Sequence, residues 1–152
     1  MPKLFDLFYA NSDTGALRIR IPLDPHSSKA VRERLLAYAQ RRGLEGAILD
    51  DFLFAVGEAL ANAIEHSKSK TAIEVRCSID DEKILAIISD SGQGFEYAGL
   101  TALPKGLVER GRGLPIMRGF TDIFSLQSTP GVGTAVLLGR YTQCLPKESS
   151  RA

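Results

Sequence analysis

No apolar run in this 152-residue chain reaches the roughly 18 residues of a membrane-spanning helix, so a helical span is excluded. Excess charge of either sign is missing too. Nineteen Lys and Arg stand against 18 Asp and Glu, and a formal net charge of +1 offers no general field for wrapping nucleic acid, leaving room only for a local basic patch. Cysteine is scarce: Cys77 sits in an alternating segment and Cys144 near the end, without CxxC spacing. The two read as reduced thiols, and their number alone fixes no disulfide. Met1-Pro2-Lys3 meets Asp6 before an apolar stretch can develop, unlike a secretory signal, and a cytoplasmic protein is expected. Internal repeats and low-complexity linkers are absent as well. With 44% hydrophobic residues, the length predicts one α/β domain over residues 1–152, with a core at about 17–140 and a short tail over 141–152.

What is present is a regular succession of strand and helix signals. Leu17, Ile19 and Ile21 alternate with Arg18 and Arg20, which predicts an early strand ending at Pro22. Asp24-Pro25 suggests the cap and first turn of a helix in which Val31, Leu35 and Tyr38 repeat at helical spacing before Gly43 stops it. A longer helix is predicted over about 47–65, with Phe52, Val56, Ala59 and Ala63 as its apolar stripe. Ile73, Val75, Cys77 and Ile79 alternate with polar neighbours, and Asp80-Asp81-Glu82 turns into a second strand over 83–89, making a hairpin. Ile84 to Ile88 are apolar without interruption, as befits a central strand covered on both faces. Residues 96–110 lack any period and carry Gly99, Pro104 and Gly106, the signature of a loop or a short broken helix able to move. A short helix from Leu114 towards Phe120 and a terminal hairpin over 124–127 and 134–140 complete the chain.

The chemistry begins on the second helix. Glu58, Asn62 and either Glu65 or His66 recur at three- or four-residue intervals, so they can share a face distinct from the apolar stripe. The Asn62 amide oxygen suits a Mg²⁺ ion, and Glu58 suits orienting a hydroxyl and accepting its proton. Alone, these two side chains fit an ordinary solvated helix face. Asp90 closes the buried strand and is followed by Gly92 and Gly94, so its carboxylate can receive an adenine amino hydrogen where the backbone bends. A plain turn has the same composition. Gly111 and Gly113 precede the short helix at Leu114 and can offer N–H groups to phosphates, with Arg110 and Arg112 as nearby cations. A solvated basic turn remains the alternative for that pair of arginines. The acidic-amide site precedes the central strand and the glycines follow it, opposite to a Rossmann fingerprint, so a sheet with helices on one face is predicted.

Taken together, the motifs resemble the GHKL superfamily and its Bergerat ATP-binding fold. Glu58-Ala59-Leu60-Ala61-Asn62-Ala63-Ile64-Glu65-His66 resembles its N box, and Asp90-Ser91-Gly92-Gln93-Gly94-Phe95 its first glycine box. Residues 109–117 resemble the second box, and Thr129-Pro130-Gly131-Val132-Gly133-Thr134 the segment that closes the phosphate region. Within the superfamily, the compact length and Glu109-Arg110-Gly111-Arg112-Gly113-Leu114-Pro115-Ile116-Met117 resemble the anti-sigma-factor serine kinases of the SpoIIAB and RsbW kind. The resemblance spans about 17–140.

The resemblance implies an α/β two-layer sandwich with a mixed, mainly antiparallel sheet and helices on one face. It implies ATP and Mg²⁺ as cofactors, Glu58 as catalytic base, Arg110 on the terminal phosphate and Asn62 as metal ligand. It further implies Asp90, Gly92 and Gly94 around adenine, Gly111, Arg112, Gly113 and Leu114 at the phosphates, and Gly131, Gly133 and Thr134 flanking the nucleotide. The second box departs from the family pattern by a contraction of one residue, which implies a lid that closes differently. The implied activity is ATP-dependent phosphorylation of a serine or threonine on an anti-anti-sigma protein, coupled to binding an RNA-polymerase sigma factor, with a homodimer as the implied assembly and no direct nucleic-acid or membrane binding. A nucleotide-gated partner-binding module without catalysis is the alternative reading.

Overall fold

Side-chain alternation lays down the sheet. In the computed structural model, which describes residues 16–22, 24–66, 72–94 and 117–142, β1 (Leu17–Ile21) turns Ile19 and Ile21 inward and leaves Arg18 and Arg20 exposed on the other face. It pairs with β2 (Ile73–Ile79), which turns through Asp80 into β3 (Lys83–Asp90). One carboxylate organises that turn: Asp80 Oδ1 accepts the backbone N–H groups of Glu82 at 2.8 Å and Lys83 at 2.9 Å. β4 (Ile123–Thr129) and β5 (Gly133–Tyr141) form the terminal hairpin, and the sheet order is β1-β2-β3-β5-β4.

Every described strand pair is antiparallel, in keeping with the mainly antiparallel sheet expected. The reason lies between β1 and β2, where two helices intervene instead of one, α1 (Ser27–Arg41) and α2 (Ala47–His66). A single crossover helix returns the chain for a parallel strand, whereas a helix pair returns it to the end where β1 stopped. The start of α1 differs from expectation. Its N-cap position is His26 and makes no side-chain cap, because Asp24 Oδ1 instead accepts the His26 backbone N–H at 2.8 Å in a turn before the helix. The end of α1 is a Schellman closure, with Gly43 at φ +84 donating to Gln40 O and Leu44 donating to Ala39 O, both at 3.0 Å.

Both helices cover the same face of the sheet. Val31, Leu35 and Tyr38 of α1 and Phe52, Val56, Ala59 and Leu60 of α2 pack on Val75, Ile84, Ala86, Ile88, Val136 and Leu138 in one core. Ile19 and Ile21 belong to that core, which places β1 inside the fold of one copy. The opposite face carries a second, smaller cluster in which Ile87 and Leu137 are buried beside Leu85, Ile123 and Ala135. Apolar residues on both faces explain the uninterrupted run at 84–88. Cys77 lies in the main core, and burial pushes its thiol up beyond the ordinary range. Among the described residues, no helix is long and apolar enough to cross a membrane.

One charged residue breaks the apolar alternation of β5. After Val136 and Leu138, Arg140 also faces the helices, and its Nη1 donates to Asp51 Oδ2 of α2 at 2.7 Å while Nε donates to Asp122 Oδ2 at 3.0 Å. Asp122 Oδ2 also accepts the Tyr141 backbone N–H at 2.9 Å. The guanidinium therefore ties α2, the segment before β4 and the end of β5 together. Its side chain is 19% exposed and its partners somewhat more, so solvent screens part of the attraction. Arg140→Met is expected to cost about 1–3 kcal/mol in urea unfolding. A double-mutant cycle with Asp51→Asn should return a coupling of about 1 kcal/mol, and strict additivity would remove the clamp from the fold's stabilising contacts.

Candidate functional site

At roughly 100° per residue, α2 divides into faces with different tasks. Phe52, Val56 and Ala59 point into the core, while Asp51, Phe54, Glu58 and Asn62 share a flank. Glu58 and Asn62 are both half-buried there, one helical turn apart, as the spacing predicts. Asn62 Oδ1 is buried and accepts no hydrogen bond from the described residues. A buried carbonyl oxygen without a donor is costly, and this one suits a ligand that brings positive charge. Among the described residues no three His, Cys, Asp or Glu side chains converge into a metal cage. The donor set fits Mg²⁺, which binds proteins through one or two oxygen ligands and otherwise through phosphate and water.

Asp90 ends β3 opposite Thr134 of β5 and lies on the helix-facing side, in register with Ile88 and Ile84. Its Oδ1 accepts the Gly92 backbone N–H at 2.8 Å, and the Thr134 backbone also donates to the carboxylate. Partial burial raises its pKa, opposed by those two backbone donors. The carboxylate is thus held in place from below with acceptor capacity left over. Thr134 Oγ1 is 2.7 Å from Ser128 Oγ, so the β4–β5 hairpin presents a fixed hydroxyl pair beside it.

The glycines do more than bend toward a ligand. Gly94 has φ +64, and a Cβ there would stand 2.1 Å from Thr129 O; Gly133 has φ +142, and a Cβ there would stand 2.1 Å from Asp90 O. Gly131, at φ +80, faces open space and donates its N–H to Gln93 O at 2.7 Å. The first glycine box and the late Thr-Pro-Gly-Val-Gly-Thr segment are consequently joined backbone to backbone. Sequence separation hides this pairing. Gly92 is buried in the same turn. Arg110, Gly111, Arg112, Gly113 and Leu114, the segment 96–110 and the tail from 143 onward lie outside the described residues. The predicted short helix is described only at 117–119.

A cleft of about 530 Å³ opens at the same end of the sheet and shares Asp90, Gly133 and Thr134. Arg20, Glu74 and Gln127 line its other side from the face away from the helices, and neither Glu58 nor Asn62 reaches it. The sequence reading missed the Asp51–Arg140–Asp122 clamp and Ser128. The signal for the clamp was an arginine in phase with Val136 and Leu138; Ser128 is identified only by the hairpin register that sets it across from Thr134.

Residues 21–139 match the family described as the histidine kinase-like ATPase domain. A serine-protein kinase RsbW of Bacillus velezensis is 27% identical over 132 residues, 79% of this chain and 82% of its own length. An anti-sigma F factor of Caldanaerobacter subterraneus is 35% identical over 98 residues, 60% of this chain and 68% of its own. The crystal structure of the RsbU and RsbW domains of Rv1364c from Mycobacterium tuberculosis has the same fold, with a TM-score of 0.65 at 20% identity over 83% of this chain and 32% of that one.

The glycine geometry separates two substitutions of identical chemistry. Gly131→Ala carries only the left-handed backbone cost, about 1 kcal/mol. Gly133→Ala must in addition push the Asp90 carbonyl away and should cost at least about twice as much. Thermal unfolding of both variants, followed by nucleotide titration, checks the ranking; equal melting temperatures would mean that the two turns are not held in contact.

Proposed function

The chain belongs to the histidine kinase-like ATPase family, alongside serine-protein kinases and anti-sigma factors, and from that membership we propose an ATP-dependent serine/threonine-protein kinase that acts as an anti-sigma regulator. Its phosphoacceptor is an anti-anti-sigma protein and its second partner an RNA-polymerase sigma factor. The observation that carries this reading is the flank of α2, where Glu58 stands one turn from the orphaned oxygen of Asn62.

Positioning and electrostatics account for the chemistry. The Asp90 carboxylate, fixed by Gly92 and Thr134, receives the adenine amino hydrogen and sets the base end of ATP. Asn62 Oδ1 would hold Mg²⁺, which when bound would offset the negative charge of the phosphates. Glu58 accepts the proton of the incoming hydroxyl as its oxygen bonds to the γ-phosphorus and the bond to the β–γ bridging oxygen breaks, releasing ADP. Arg110 contacts the transferring group, and Gly111, Arg112, Gly113 and Leu114 cradle the phosphates. These assignments rest on the resemblance of the second glycine box.

Incubation with ATP, Mg²⁺ and purified anti-anti-sigma proteins, followed by residue-level phosphate mapping, tests the transfer directly. Partner binding with no phosphate on any hydroxyl would replace the kinase with a nucleotide-gated binding module. Glu58→Gln should lower transfer about 100-fold or more while ATP affinity changes little, because shape is kept and the proton acceptor is lost. Asn62→Ala should weaken Mg²⁺-dependent ATP binding specifically, and an unchanged metal titration at fixed ionic strength would remove it from the ion's shell. Asp90→Asn should erode discrimination between ATP and GTP, measured by competition, more than phosphate affinity.

A further inference from the structure

Four large apolar side chains are exposed among the described residues, and two of them touch. Phe54 is 47% exposed and Phe120 is 37% exposed, with ring centroids 5.2 Å apart at an interplanar angle of 77°, an edge-to-face pair standing in solvent. Phe54 lies four residues before Glu58 on the flank of α2 that also carries Asn62, so about 6 Å of helix axis separates Phe54 from Glu58. The other two, Val132 and Tyr141, lie on the β4–β5 turn and at the far end of β5.

The pair is held in place. Phe120 follows the helical turn at 117–119, where Thr121 Oγ1 donates to Met117 O. Arg140 binds Asp51 on one side and Asp122 on the other, and its Nη1 lies 3.5 Å from Phe120 O. The clamp thus fixes the separation of the two backbones that carry the rings. Two apolar rings kept in water, packed on each other and carried by clamped backbones, make a preorganised contact with little entropy left to lose on docking.

We propose that Phe54 and Phe120 form the docking contact for the phosphoacceptor protein, taking an apolar side chain that lies about 6 Å from the reactive serine or threonine. This rests on the kinase reading above. The spacing supports that occupant over others, because a hydroxyl delivered to Glu58 brings the residues one or two positions away within reach of Phe54. Adjacent positions along the acceptor chain thereby contact the base and the rings at once.

The test uses the full chain with Phe54→Ala and Phe120→Ala, and an anti-anti-sigma protein that the unaltered chain phosphorylates. Each variant should raise the acceptor KM about tenfold, leave kcat within about twofold and leave ATP affinity unchanged. Phe54→Leu should recover most of the loss. An unchanged acceptor KM in both folded variants overturns the docking role while the kinase reading stands. A dimer that dissociates in these variants, with acceptor KM unchanged, gives the pair to a second copy and overturns it equally. Failure of the unaltered chain to label any such protein overturns the kinase reading itself, and this docking role with it.

Discussion

The proposed nucleotide end depends on two backbone turns lying closer than any side chain would permit. Where β3 ends and β4 turns into β5, the chain at Gly133 passes the Asp90 carbonyl, and the chain at Gly94 passes the Thr129 carbonyl, each at a distance that excludes a Cβ. Gly131 closes the junction by donating to Gln93 O at 2.7 Å. Asp90 then has Thr134 as its partner across the ladder, and both are fixed before any ligand arrives. Substrate recognition built this way loses little conformational entropy, because the sheet has already met the cost of ordering.

Helix α2 joins that junction to the rest of the fold by dividing its circumference. One side supplies Phe52, Val56 and Ala59 to the core, and the adjoining flank runs Asp51, Phe54, Glu58, Asn62. Arg140 engages the first of these through Asp51, so the rotation of the helix on the sheet is set by a charged contact as well as by packing. A rotation of α2 about its axis would move Glu58 and Asn62 together. The pair is therefore positioned by residues that take no part in the proposed chemistry, as a reaction driven by placement requires.

The same division bears on what the site leaves unpaired. Buried polar atoms in folded proteins usually find partners, and Asn62 Oδ1 finds none among the described residues. Two helical turns away on the same flank, Phe54 is the apolar counterpart: a large side chain that packing would ordinarily bury and that remains 47% exposed. One suits an ion with its phosphates and the other a protein surface. Their places on one helix flank link the nucleotide half of the proposed reaction to the acceptor half.

Periodicity determined most elements and their order, because burial on one face imposes a 2-residue or 3.6-residue rhythm that a chain cannot conceal. The α2 stripe, the β2–β3 hairpin, the two-sided β3 run and the terminal hairpin were all legible, and so were Glu58, Asn62 and Asp90 as polar residues at spacings of their own. Strand direction was less so. Nothing local distinguishes a one-helix crossover from a two-helix return, and the antiparallel pairing of β1 with β2 follows from that return. The sequence by itself determined which residues are apolar, which can chelate or accept protons, and which backbone positions are free of a Cβ. Tertiary structure alone decided that Gly94 abuts Thr129, that Gly133 abuts Asp90, and that Arg140 reaches Asp51 across 89 positions. Those contacts join segments far apart in the chain, and no periodic signal within either segment encodes its distance from the other.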